Sequence, residues 1–484
     1  ICEGLVGSEM CIRDRNYTVR SPLAILPFER PLSGTLSLPG SKSITNRALI
    51  ISALCEGAVT LDGALFSRDT LIMIEALRQL GFDISTNEEA AIIKIKGQAG
   101  SIPNKTASID VGNAGTAARF ITALLALQNE GDYTLDGDYQ MRDRPMKGLI
   151  EALDQLGSAS FTFLEKPFHF PFRMKTHGVQ NKYAQVDAST SSQILSALLL
   201  TLPACQKAIK LDCPNVRTSY VKVTEYIKSL FGISASAMTE EGSFNIRDNP
   251  YKIPEDAYFL IEPDLSAASY FLALSLLHGG SLAIKNIPTE PIQGDAAFAE
   301  LLKSHALQIN PQNDDWHIQR TLNEPIQKAV ADFDFNLFSD TFLTYASIAP
   351  LLNDETTIRG IKHTRLQETD RVSAMATELK KLGQTVIENA DSLKIISDKN
   401  ALIEKAKKAR AKGKTLEIET YEDHRFAMSF GILGTYDLLG DGKAWLSIKD
   451  PECCGKTYPD FFNTLETLRP VSYTHLRAHE TFAH

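Results

Sequence analysis

The chain has 484 residues, of which 43% are hydrophobic, and a formal net charge of −9 at pH 7. An acidic balance disfavours a nucleic-acid partner, because phosphate backbones are bound by basic surfaces. No stretch of about 18 uninterrupted apolar residues occurs, so we expect no membrane span. The length exceeds what one hydrophobic core usually serves and predicts two domains.

The cysteines point to a reducing compartment. Five of the seven lie in the body of the chain, at positions 55, 205, 213, 453 and 454. Their odd number and irregular spacing predict neither a disulfide framework nor a zinc site. We therefore expect a cytoplasmic protein without a bound metal.

Residues 1–15 and 470–484 are expected to be a non-native head and tail. Codons can be chosen for residues 9–15 whose reverse complement encodes residues 470–476, Pro-Val-Ser-Tyr-Thr-His-Leu. This relation resembles a sequencing adapter read into both ends of one gene. We leave both segments out of the fold prediction and take roughly residues 16–469 as the native chain.

One pattern recurs six times along the chain: a polar turn followed by a helix that is apolar on nearly every face. The turns carry Ser, Asn or Asp, which cap helix N-termini. They begin, at intervals of 72 to 83 residues, at Ser41, Asn113, Ser189, Asp264, Asp340 and Asp423. A second, amphipathic helix follows each time, beginning near Asp69, Pro145, Tyr220, Asp295, Asp370 and Pro459. Alternating β-like stretches, such as residues 91–96 and 392–396, lie between them.

The repeat predicts a βαβαβ-type unit used six times, in an α/β protein with two domains of three units. The first helix of each pair should be buried and the second should lie outside. A domain boundary is expected near residues 261–263, and a crossing of the chain between domains near Pro39 and Gly40. An open solenoid is the alternative, although a solenoid would not require a polar turn at every buried helix.

The turn in residues 110–119, Asp-Val-Gly-Asn-Ala-Gly-Thr-Ala-Ala-Arg, predicts an anion site. Its glycines let a ligand approach the backbone, and the free N–H groups of the following helix favour negative charge. An ordinary strand-turn-helix junction is the alternative for any single turn of this kind. The sixfold recurrence favours a binding role.

Basic residues concentrate around these turns, and two acidic residues join them. If the buried helices aim their N-termini at one cleft, the cleft is cationic and fits small polyanions such as phosphates and carboxylates. Asp340 and Glu368 are candidates for general acid–base chemistry, although each alone is more often a cap. His424 is interpreted as a structural hydrogen-bonding residue, and without a P-loop or dinucleotide motif the chemistry should be cofactor-free. The basic residues are Lys42, Arg47, Arg119, Arg144, Arg371, Arg425 and Lys456.

Eight motifs together resemble the 5-enolpyruvylshikimate-3-phosphate synthase family, in the right order over nearly the whole chain. The resemblance implies two domains, each of three inside-out βαβαββ units (the enolpyruvyl transferase fold). One domain would span residues 41–261, and the other would combine 16–40 with 262–469. The motifs are residues 38–47 (Leu-Pro-Gly-Ser-Lys-Ser-Ile-Thr-Asn-Arg), 112–119, 142–145, 191–193, 293–295, 368–371, 423–425 and 456–460.

The resemblance implies transfer of the carboxyvinyl group of phosphoenolpyruvate to the 5-hydroxyl of shikimate 3-phosphate, with release of phosphate, in the shikimate pathway. It implies Asp340, Glu368 and Lys42 as catalytic residues and a monomer without cofactor or metal. The phosphoenolpyruvate site, which the family's herbicide glyphosate shares, would comprise Lys42, Asn113, Gly115, Arg144, Gln193, Arg371, Arg425 and Lys456. Shikimate 3-phosphate would be bound by Lys42, Ser43, Arg47, Ser191, Ser192, Gln193, Tyr220, Asp340 and Gln367.

The sequence departs from the family pattern on the shikimate 3-phosphate side. Gln367 occupies a position that is usually Lys, and Thr364 and His363 replace the usual aromatic or Asn character just upstream. Arg217 opens Arg-Thr-Ser-Tyr where the family has Ser-Lys/Arg-Pro-Tyr, and its charge is a candidate to replace the one missing at 367.

Two other functions stay open. One is the sister enzyme that transfers enolpyruvate to UDP-N-acetylglucosamine, which would be expected to carry a Cys in a loop of the third unit. The other is a non-catalytic phosphate-binding homologue, against which the presence of both Asp340 and Glu368 argues.

Overall fold

A computed structural model describes residues 21–214, 216–234, 236, 239, 242–321 and 330–469. The expected adapter-like head and tail lie outside these residues. No helix in the described part of the chain combines the length and the apolar character that crossing a membrane requires.

The helices and strands alternate along the whole described chain. The helices are α1 Lys42–Leu54, α2 Arg68–Gln79, α3 Gly115–Leu125, α4 Tyr139–Arg142, α5 Lys147–Gln155, α6 Ser192–Thr201, α7 Ser219–Leu230, α8 Leu265–His278, α9 Ala297–Lys303, α10 Phe342–Leu352, α11 Arg371–Lys381, α12 Lys399–Arg410, α13 His424–Gly434 and α14 Phe461–Leu468. The strands are β1 Leu23–Ala24, β2 Leu32–Ser37, β3 Glu56–Asp62, β4 Asp83–Asn87, β5 Ile92–Gln98, β6 Thr106–Asp110, β7 Gly131–Asp136, β8 Ala159–Phe163, β9 Phe172–Thr176, β10 Tyr183–Gln185, β11 Ile209–Asp212, β12 Ser243–Ile246, β13 Tyr258–Leu260, β14 Gly280–Lys285, β15 Gln308–Gln312, β16 Asp315–Arg320, β17 Ala331–Asp334, β18 Glu355–Arg359, β19 Thr385–Glu388, β20 Ser392–Ile396, β21 Leu416–Ile418 and β22 Leu446–Ile448.

The strands form six small sheets of the same design. In each, one parallel pair is joined by an antiparallel neighbour, as in β6 parallel to β7 and β7 antiparallel to β9. A parallel pair needs a crossover, and α3 provides it between β6 and β7. The sheets are β13-β3-β5-β4, β6-β7-β9-β8, β10-β11-β12, β15-β16-β14-β2, β17-β18-β20-β19 and β1-β22-β21. This arrangement matches the predicted six units.

The predicted helix pairs are present, with starts within a few residues of the expected positions. Every residue of α3, α8 and α13 is buried, as expected for helices that are apolar on all faces. Three of the six polar turns cap their helices through Ser191, Asp264 and Asp423, whose side chains accept backbone N–H groups. The helix α12 was not among the predicted elements, and it lengthens the last interval of the repeat.

Two separate clusters of buried apolar side chains fill the interior. One draws on residues 44–261, and the other combines 25–38 with 265–468. The chain crosses between them twice, and the two crossings are hydrogen-bonded to each other: Ser41 N donates to Glu262 O (2.8 Å) and Asp264 N to Pro39 O (2.9 Å). A methyl group at Gly40 would lie 1.9 Å from Gly63 O, so only glycine fits this crossing. We propose the domain division expected from the sequence on the basis of these two cores.

Candidate active site

A cavity lies where starts of the buried helices from both cores meet. Five of the six predicted helix starts contribute to its wall; the start of α8 does not, and the N–H of Leu265 there is taken by Gln293 Oε1 at 3.2 Å. The expectation that all six helices line the cleft is therefore corrected to five. The wall includes seven Lys or Arg side chains, Lys42, Arg47, Arg119, Arg144, Arg217, Arg371 and Arg425, against the two carboxylates Asp340 and Glu368. This excess of positive charge suits anionic ligands.

Asp340 is held by groups from both cores. Its Oδ1 accepts from Arg371 Nη1 at 3.0 Å, and its Oδ2 accepts from Arg425 Nη2 at 2.8 Å and from the hydroxyl of Tyr220 at 3.1 Å. The residue lies in a short 3₁₀ turn before α10, and its side chain makes no capping bond there. The interpretation of Asp340 as a helix cap is therefore wrong.

The pKa of Asp340 reflects two opposing effects. Burial alone would raise it, but the guanidinium groups of Arg425 and Arg371 outweigh burial and hold the pKa at about 2. The carboxylate is consequently ionised at neutral pH and available to accept a proton.

Arg371 joins the acidic groups on one side of the cavity. The side chain is 1% exposed and uses all of its guanidinium nitrogens. It donates to the carboxylates of Asp423 (2.7 Å), Asp340 (3.0 Å) and Glu368 (2.9 Å) and to the amide oxygen of Gln367. Such a fully bonded, buried guanidinium fixes the positions of both candidate catalytic acids.

Glu368 is surrounded by cations. Its Oε1 lies 3.2 Å from Lys456 Nζ, and its Oε2 lies 2.9 Å from Arg371 Nη2. Burial would raise the pKa of Glu368, yet Lys456, Arg371 and Arg144 together lower it well below its usual value. Glu368 is therefore ionised in this arrangement and must gain a proton before it can act as an acid.

Asp69 was not predicted as a site residue, yet its carboxylate lies beside two lysines of the site. Asp69, at the start of α2, is 1% exposed and lies 3.0 Å from Lys42 Nζ and 4.0 Å from Lys456 Nζ. The signal in the sequence was its position at the start of one of the six second helices. Asp69 orients two cations that would otherwise repel each other.

Gly115 packs against a guanidinium. It is the first residue of α3, and an added Cβ would lie 2.7 Å from Arg144 Cζ. Arg144 itself is loosely held, with Nη1 at 3.3 and 3.4 Å from Asn113 Oδ1 and O. The carbonyl of Asn113 also accepts from Lys456 Nζ at 3.0 Å. The glycine thus makes room for the arginine beside the predicted anion turn.

Arg47 occupies another part of the wall and is 2% exposed. It donates to Ser43 Oγ (2.6 Å), Thr224 Oγ1 (2.8 Å) and Ser196 Oγ (3.2 Å), so it is satisfied by neutral groups. Burial lowers the pKa of Arg47 to about 10, which still leaves it charged at neutral pH.

Two further side chains of the wall had no ligand assigned to them from the sequence, although Arg119 was expected among the cations of the cleft. Arg119 donates to Gly115 O (2.9 Å) and to Gln193 Oε1 (3.1 Å), so it connects α3 to the start of α6. His424 is buried, and neither of its ring nitrogens has a hydrogen-bond partner among the described residues. Burial, with Arg425 and Lys42 nearby, lowers the pKa of His424 well below its usual value, so the ring is neutral. The interpretation of His424 as a structural hydrogen-bonding residue is wrong.

The predicted site residues fall into two layers. Asn113, Gly115 and Lys456 lie directly behind the wall, in contact with Arg144 or Glu368. The others face the cavity: Lys42, Ser43, Arg47, Arg144, Ser191, Ser192, Gln193, Tyr220, Asp340, Gln367, Glu368, Arg371 and Arg425.

Side chains of the two cores also contact each other next to the anion turn. Glu422 accepts from the hydroxyl of Tyr139 at 2.9 Å and from Gln140 Nε2 at 2.7 Å. Gln140 in turn accepts a bond from the side chain of Asn113. Gln140 therefore connects Glu422 of one core to Asn113 in the anion turn of the other.

Comparison with known proteins identifies the family. The sequence profile described as EPSP synthase (3-phosphoshikimate 1-carboxyvinyltransferase) matches residues 28–465. The chain belongs to the EPSP synthase family. The 3-phosphoshikimate 1-carboxyvinyltransferase of Opitutus terrae is 44% identical over 455 residues, which cover 93% of this chain and 98% of that protein. The enzyme of the same name from Nostoc punctiforme is 37% identical over 447 residues, covering 91% and 97%.

Solved structures share the fold of this EPSP synthase family member. The EPSP synthase of Acinetobacter baumannii superposes with a TM-score of 0.71 at 22% identity, covering 92% of this chain and 98% of that one. The enolpyruvyl transferase NikO of Streptomyces tendae gives a TM-score of 0.67 at 14% identity, covering 93% and 97%. The predicted family and the predicted two-domain enolpyruvyl transferase fold are both confirmed.

Proposed function

We propose that this chain is a 3-phosphoshikimate 1-carboxyvinyltransferase: it transfers the carboxyvinyl group of phosphoenolpyruvate to the 5-hydroxyl of shikimate 3-phosphate and releases phosphate. Family membership supports this activity. The observation that carries it within the molecule is the placement of Asp340 and Glu368 on one guanidinium, in a cavity whose wall is otherwise cationic. Both substrates carry a phosphate and a carboxylate, so the charges are complementary.

Phosphoenolpyruvate binds beside the turn before α3 in this proposal. Arg144 and Lys456 contact Asn113 in that turn, and Arg425 lies on the wall of the same cavity. The arginines can bind a phosphate or carboxylate through two nitrogens. Lys42 and Gln193 lie on the same wall. His424 offers an unpartnered, neutral ring nitrogen to the same ligand.

Shikimate 3-phosphate places its 5-hydroxyl against Asp340. Ser43, Arg47, Ser191 and Ser192 line the adjoining wall. Asp340 accepts the hydroxyl proton as the oxygen attacks C2 of phosphoenolpyruvate. Substrate anions bound in the cavity offset the positive charge of Arg425 and Arg371, so the pKa of Asp340 rises in the complex and the carboxylate becomes a stronger base.

The enol carbon requires a proton in the addition step and loses one in the elimination step. Lys456 and Arg144 are among the cations that lower the pKa of Glu368. When phosphoenolpyruvate binds to them, its negative charge offsets theirs, so the pKa of Glu368 rises and the carboxylate can carry that proton. Lys42, held by Asp69, is positioned as a second proton source. Addition gives a tetrahedral intermediate in which C2 carries both the phosphate oxygen and the 5-oxygen of the acceptor. Its collapse breaks the bond from C2 to the phosphate oxygen, releases phosphate and restores the double bond as the methyl carbon loses a proton.

We infer further that the protein acts as a cytoplasmic monomer on small anionic substrates alone, with no metal, cofactor, nucleic acid or membrane partner. The net charge and the cysteine pattern support this inference. Sedimentation at micromolar concentration tests the monomer.

The test of the function is a comparison of acceptors. Phosphate release from phosphoenolpyruvate is measured with shikimate 3-phosphate and, separately, with UDP-N-acetylglucosamine. Turnover with shikimate 3-phosphate only is expected. Turnover with the nucleotide sugar alone would assign the sister activity, and binding of phosphate without turnover would assign a non-catalytic homologue.

A further inference from the structure

Glu422 ends a series of hydrogen bonds that runs from the core of residues 265–468 into the anion turn of the other core. Its Oε2 accepts from Gln140 Nε2 at 2.7 Å. Gln140 Oε1 accepts from Asn113 Nδ2, and Asn113 Oδ1 accepts from Arg144 Nη1 at 3.3 Å. We call these four side chains the amide relay. It joins a carboxylate of one core to a guanidinium on the cavity wall of the other.

All three bonds of the amide relay run in one direction, and its two ends fix that direction. A guanidinium only donates, and an ionised carboxylate only accepts. An amide can turn either its oxygen or its NH₂ group to a neighbour, so its orientation follows from what its partners need. Arg144 needs the oxygen of Asn113, and Glu422 needs the NH₂ group of Gln140. The two amides satisfy both ends, and no donor faces a donor.

The direction of the relay bears on Arg144 because Asn113 holds its guanidinium. Both hydrogen bonds that the described residues give to this guanidinium end on Asn113, at Oδ1 and at the backbone oxygen, 3.4 Å away. A reversed Asn113 amide would turn its NH₂ group toward the guanidinium, donor against donor. Arg144 would then have to leave its place beside Gly115.

The backbone before α13 is built to hold Glu422 in the relay. Tyr421 and Glu422 have φ values of 57° and 56°, in the left-handed region that few residues other than Gly adopt. Helix α11 fixes both sides of this pair. Glu378 accepts from the Tyr421 hydroxyl at 2.6 Å, and Arg371 donates to Asp423 at 2.7 and 3.2 Å. Such unfavourable conformations persist where the surroundings determine them, and they cluster at functional sites.

Glu422 has a second bond between the cores, and it defines an alternative role. The hydroxyl of Tyr139 donates to both carboxylate oxygens at 2.9 Å, outside the series that leads to Asn113. If Glu422 only ties the cores together, its loss should affect the binding of both substrates. If it orients the amides, its loss should affect the ligand of Arg144 alone.

We propose that Glu422 is a positioning residue for phosphoenolpyruvate: it orients the amides of Gln140 and Asn113 and through them holds Arg144. This rests on the proposed function, in which Arg144 binds that substrate. Glu422 and Gln140 are not among the described residues that line the cavity, so they act through Asn113. Contact between the cores thereby organises the anion turn.

Steady-state kinetics of the full chain with both substrates test this role. Glu422→Lys replaces an acceptor by a donor and should reverse both amides. The KM for phosphoenolpyruvate should rise by about 3- to 10-fold, as loss of one ordinary hydrogen bond does. The KM for shikimate 3-phosphate and kcat should stay within about 2-fold. General electrostatics predicts the opposite sign, because added positive charge near the cavity attracts an anionic substrate.

A second substitution should restore the direction of the relay. Adding Gln140→Glu to Glu422→Lys gives the new ammonium group an acceptor, and the second oxygen at position 140 still accepts from Asn113 Nδ2. The KM for phosphoenolpyruvate should return to within about 2-fold of the wild type. Glu422→Gln keeps an acceptor oxygen and should also change this KM by less than about 2-fold.

Two control variants separate the relay from the tie between the cores and from charge alone. Tyr139→Phe removes the other bond of Glu422 to that core and should leave both KM values unchanged. Glu417→Lys makes the same change of charge at an exposed position of β21 and should not raise either KM. Thermal melting monitors the folding of every variant. If Glu422→Lys does not fold, Gln140→Met interrupts the relay with a side chain of similar length and should raise the KM for phosphoenolpyruvate selectively.

Three outcomes overturn the inference. One is an unchanged or lowered KM for phosphoenolpyruvate in Glu422→Lys, or in Gln140→Met where that variant replaces it. Another is an equal rise for both substrates, which would assign Glu422 to the tie between the cores. The third is a double variant that binds phosphoenolpyruvate as weakly as Glu422→Lys. A wild-type chain that releases no phosphate from the two substrates overturns the proposed function instead, so the two failures are distinguishable.

Discussion

The substitution Gly115→Ala tests whether the glycine turn before α3 serves binding or folding. The φ of Gly115 lies outside the left-handed region, whereas that of Gly112 is +46°. Alanine at 115 is therefore free of backbone strain, and the three atoms nearest to its Cβ belong to the Arg144 guanidinium, at 2.7 to 2.8 Å. Ordinary contact begins at 3.4 Å, so the guanidinium must move by about 0.7 Å.

The displaced group is the guanidinium of Arg144, which ends a flexible side chain and makes only long hydrogen bonds to Asn113. Moving it costs the fold little, and the loss of a glycine can even stabilise the chain by about 0.4–1 kcal/mol. Binding of phosphoenolpyruvate should suffer, since full loss of a hydrogen bond between charged groups costs about 1.5–3 kcal/mol. We expect a partial loss of about 1 kcal/mol, or about 5-fold in KM. Glyphosate, which is longer, should be excluded more strongly.

The assay pairs thermal melting with steady-state kinetics for both substrates. Gly112→Ala is the control for strain, because its positive φ should lower the Tm by an amount that corresponds to about 1 kcal/mol or more. A Gly115→Ala protein with a clearly lowered Tm, an unchanged KM for phosphoenolpyruvate and an unchanged sensitivity to glyphosate would refute the reasoning.

Three further predictions concern charged groups that lie in the site or interact with it. Asp340→Ala should lower kcat by at least ~10² without weakening shikimate 3-phosphate, because it removes the base and one negative charge; near-normal turnover would exclude Asp340 from the mechanism. Arg144→Ala should weaken the binding of phosphoenolpyruvate by about 1–3 kcal/mol and that of shikimate 3-phosphate less. Arg142→Ala, outside the cavity, should change neither affinity. Equal losses for both ligands would show that Arg144 does not belong to the phosphoenolpyruvate site. Burial, with Asp340 nearby, raises the pKa of Asp295 to about 7, above its usual value of about 3.9, so its stabilising effect is full below pH ~4 and is lost as the pH rises through 7. The Tm of the wild type relative to that of Asp295→Asn should therefore fall between pH 4 and 7, and a constant difference would contradict the assignment.

The repeated architecture could be predicted because local pattern dictates it. Apolar helices behind polar turns, such as α8 after Asp264, must be buried, and a cap residue marks where each begins. Six copies at similar spacing then imply six sheets. The helix α12 escaped prediction because its sequence carries no apolar face of comparable strength; only Leu402 and Ala406 are buried.

The detailed site could not be predicted from the residues alone, because its bonds join distant parts of the chain. In the sequence Asp340 resembles a helix cap. In the structure its carboxylate accepts hydrogen bonds from two arginines and from the hydroxyl of Tyr220, 120 positions away. The neighbours of His424 suggest hydrogen bonds, yet tertiary packing leaves its ring unpartnered among the described residues. In the sequence Arg217 is one basic residue among many, and only the structure shows that its Nη1 donates to Ser189 O at the long distance of 3.5 Å. These distinctions depend on tertiary contacts, which local periodicity does not encode.

The pairing of β2 with β14 has a consequence for synthesis on the ribosome. Residues 32–37 form their parallel ladder with residues 280–285, on the far side of the inserted core. At about 5–20 residues per second, β2 waits about 12–50 s for its partner strand to be made. The inserted core is contiguous in the chain and can fold during that interval, so the early strand must avoid other partners while it waits. Four of its six residues, 33–35 and 37, are exposed in the fold, and this polar exposure helps to keep the strand soluble until then.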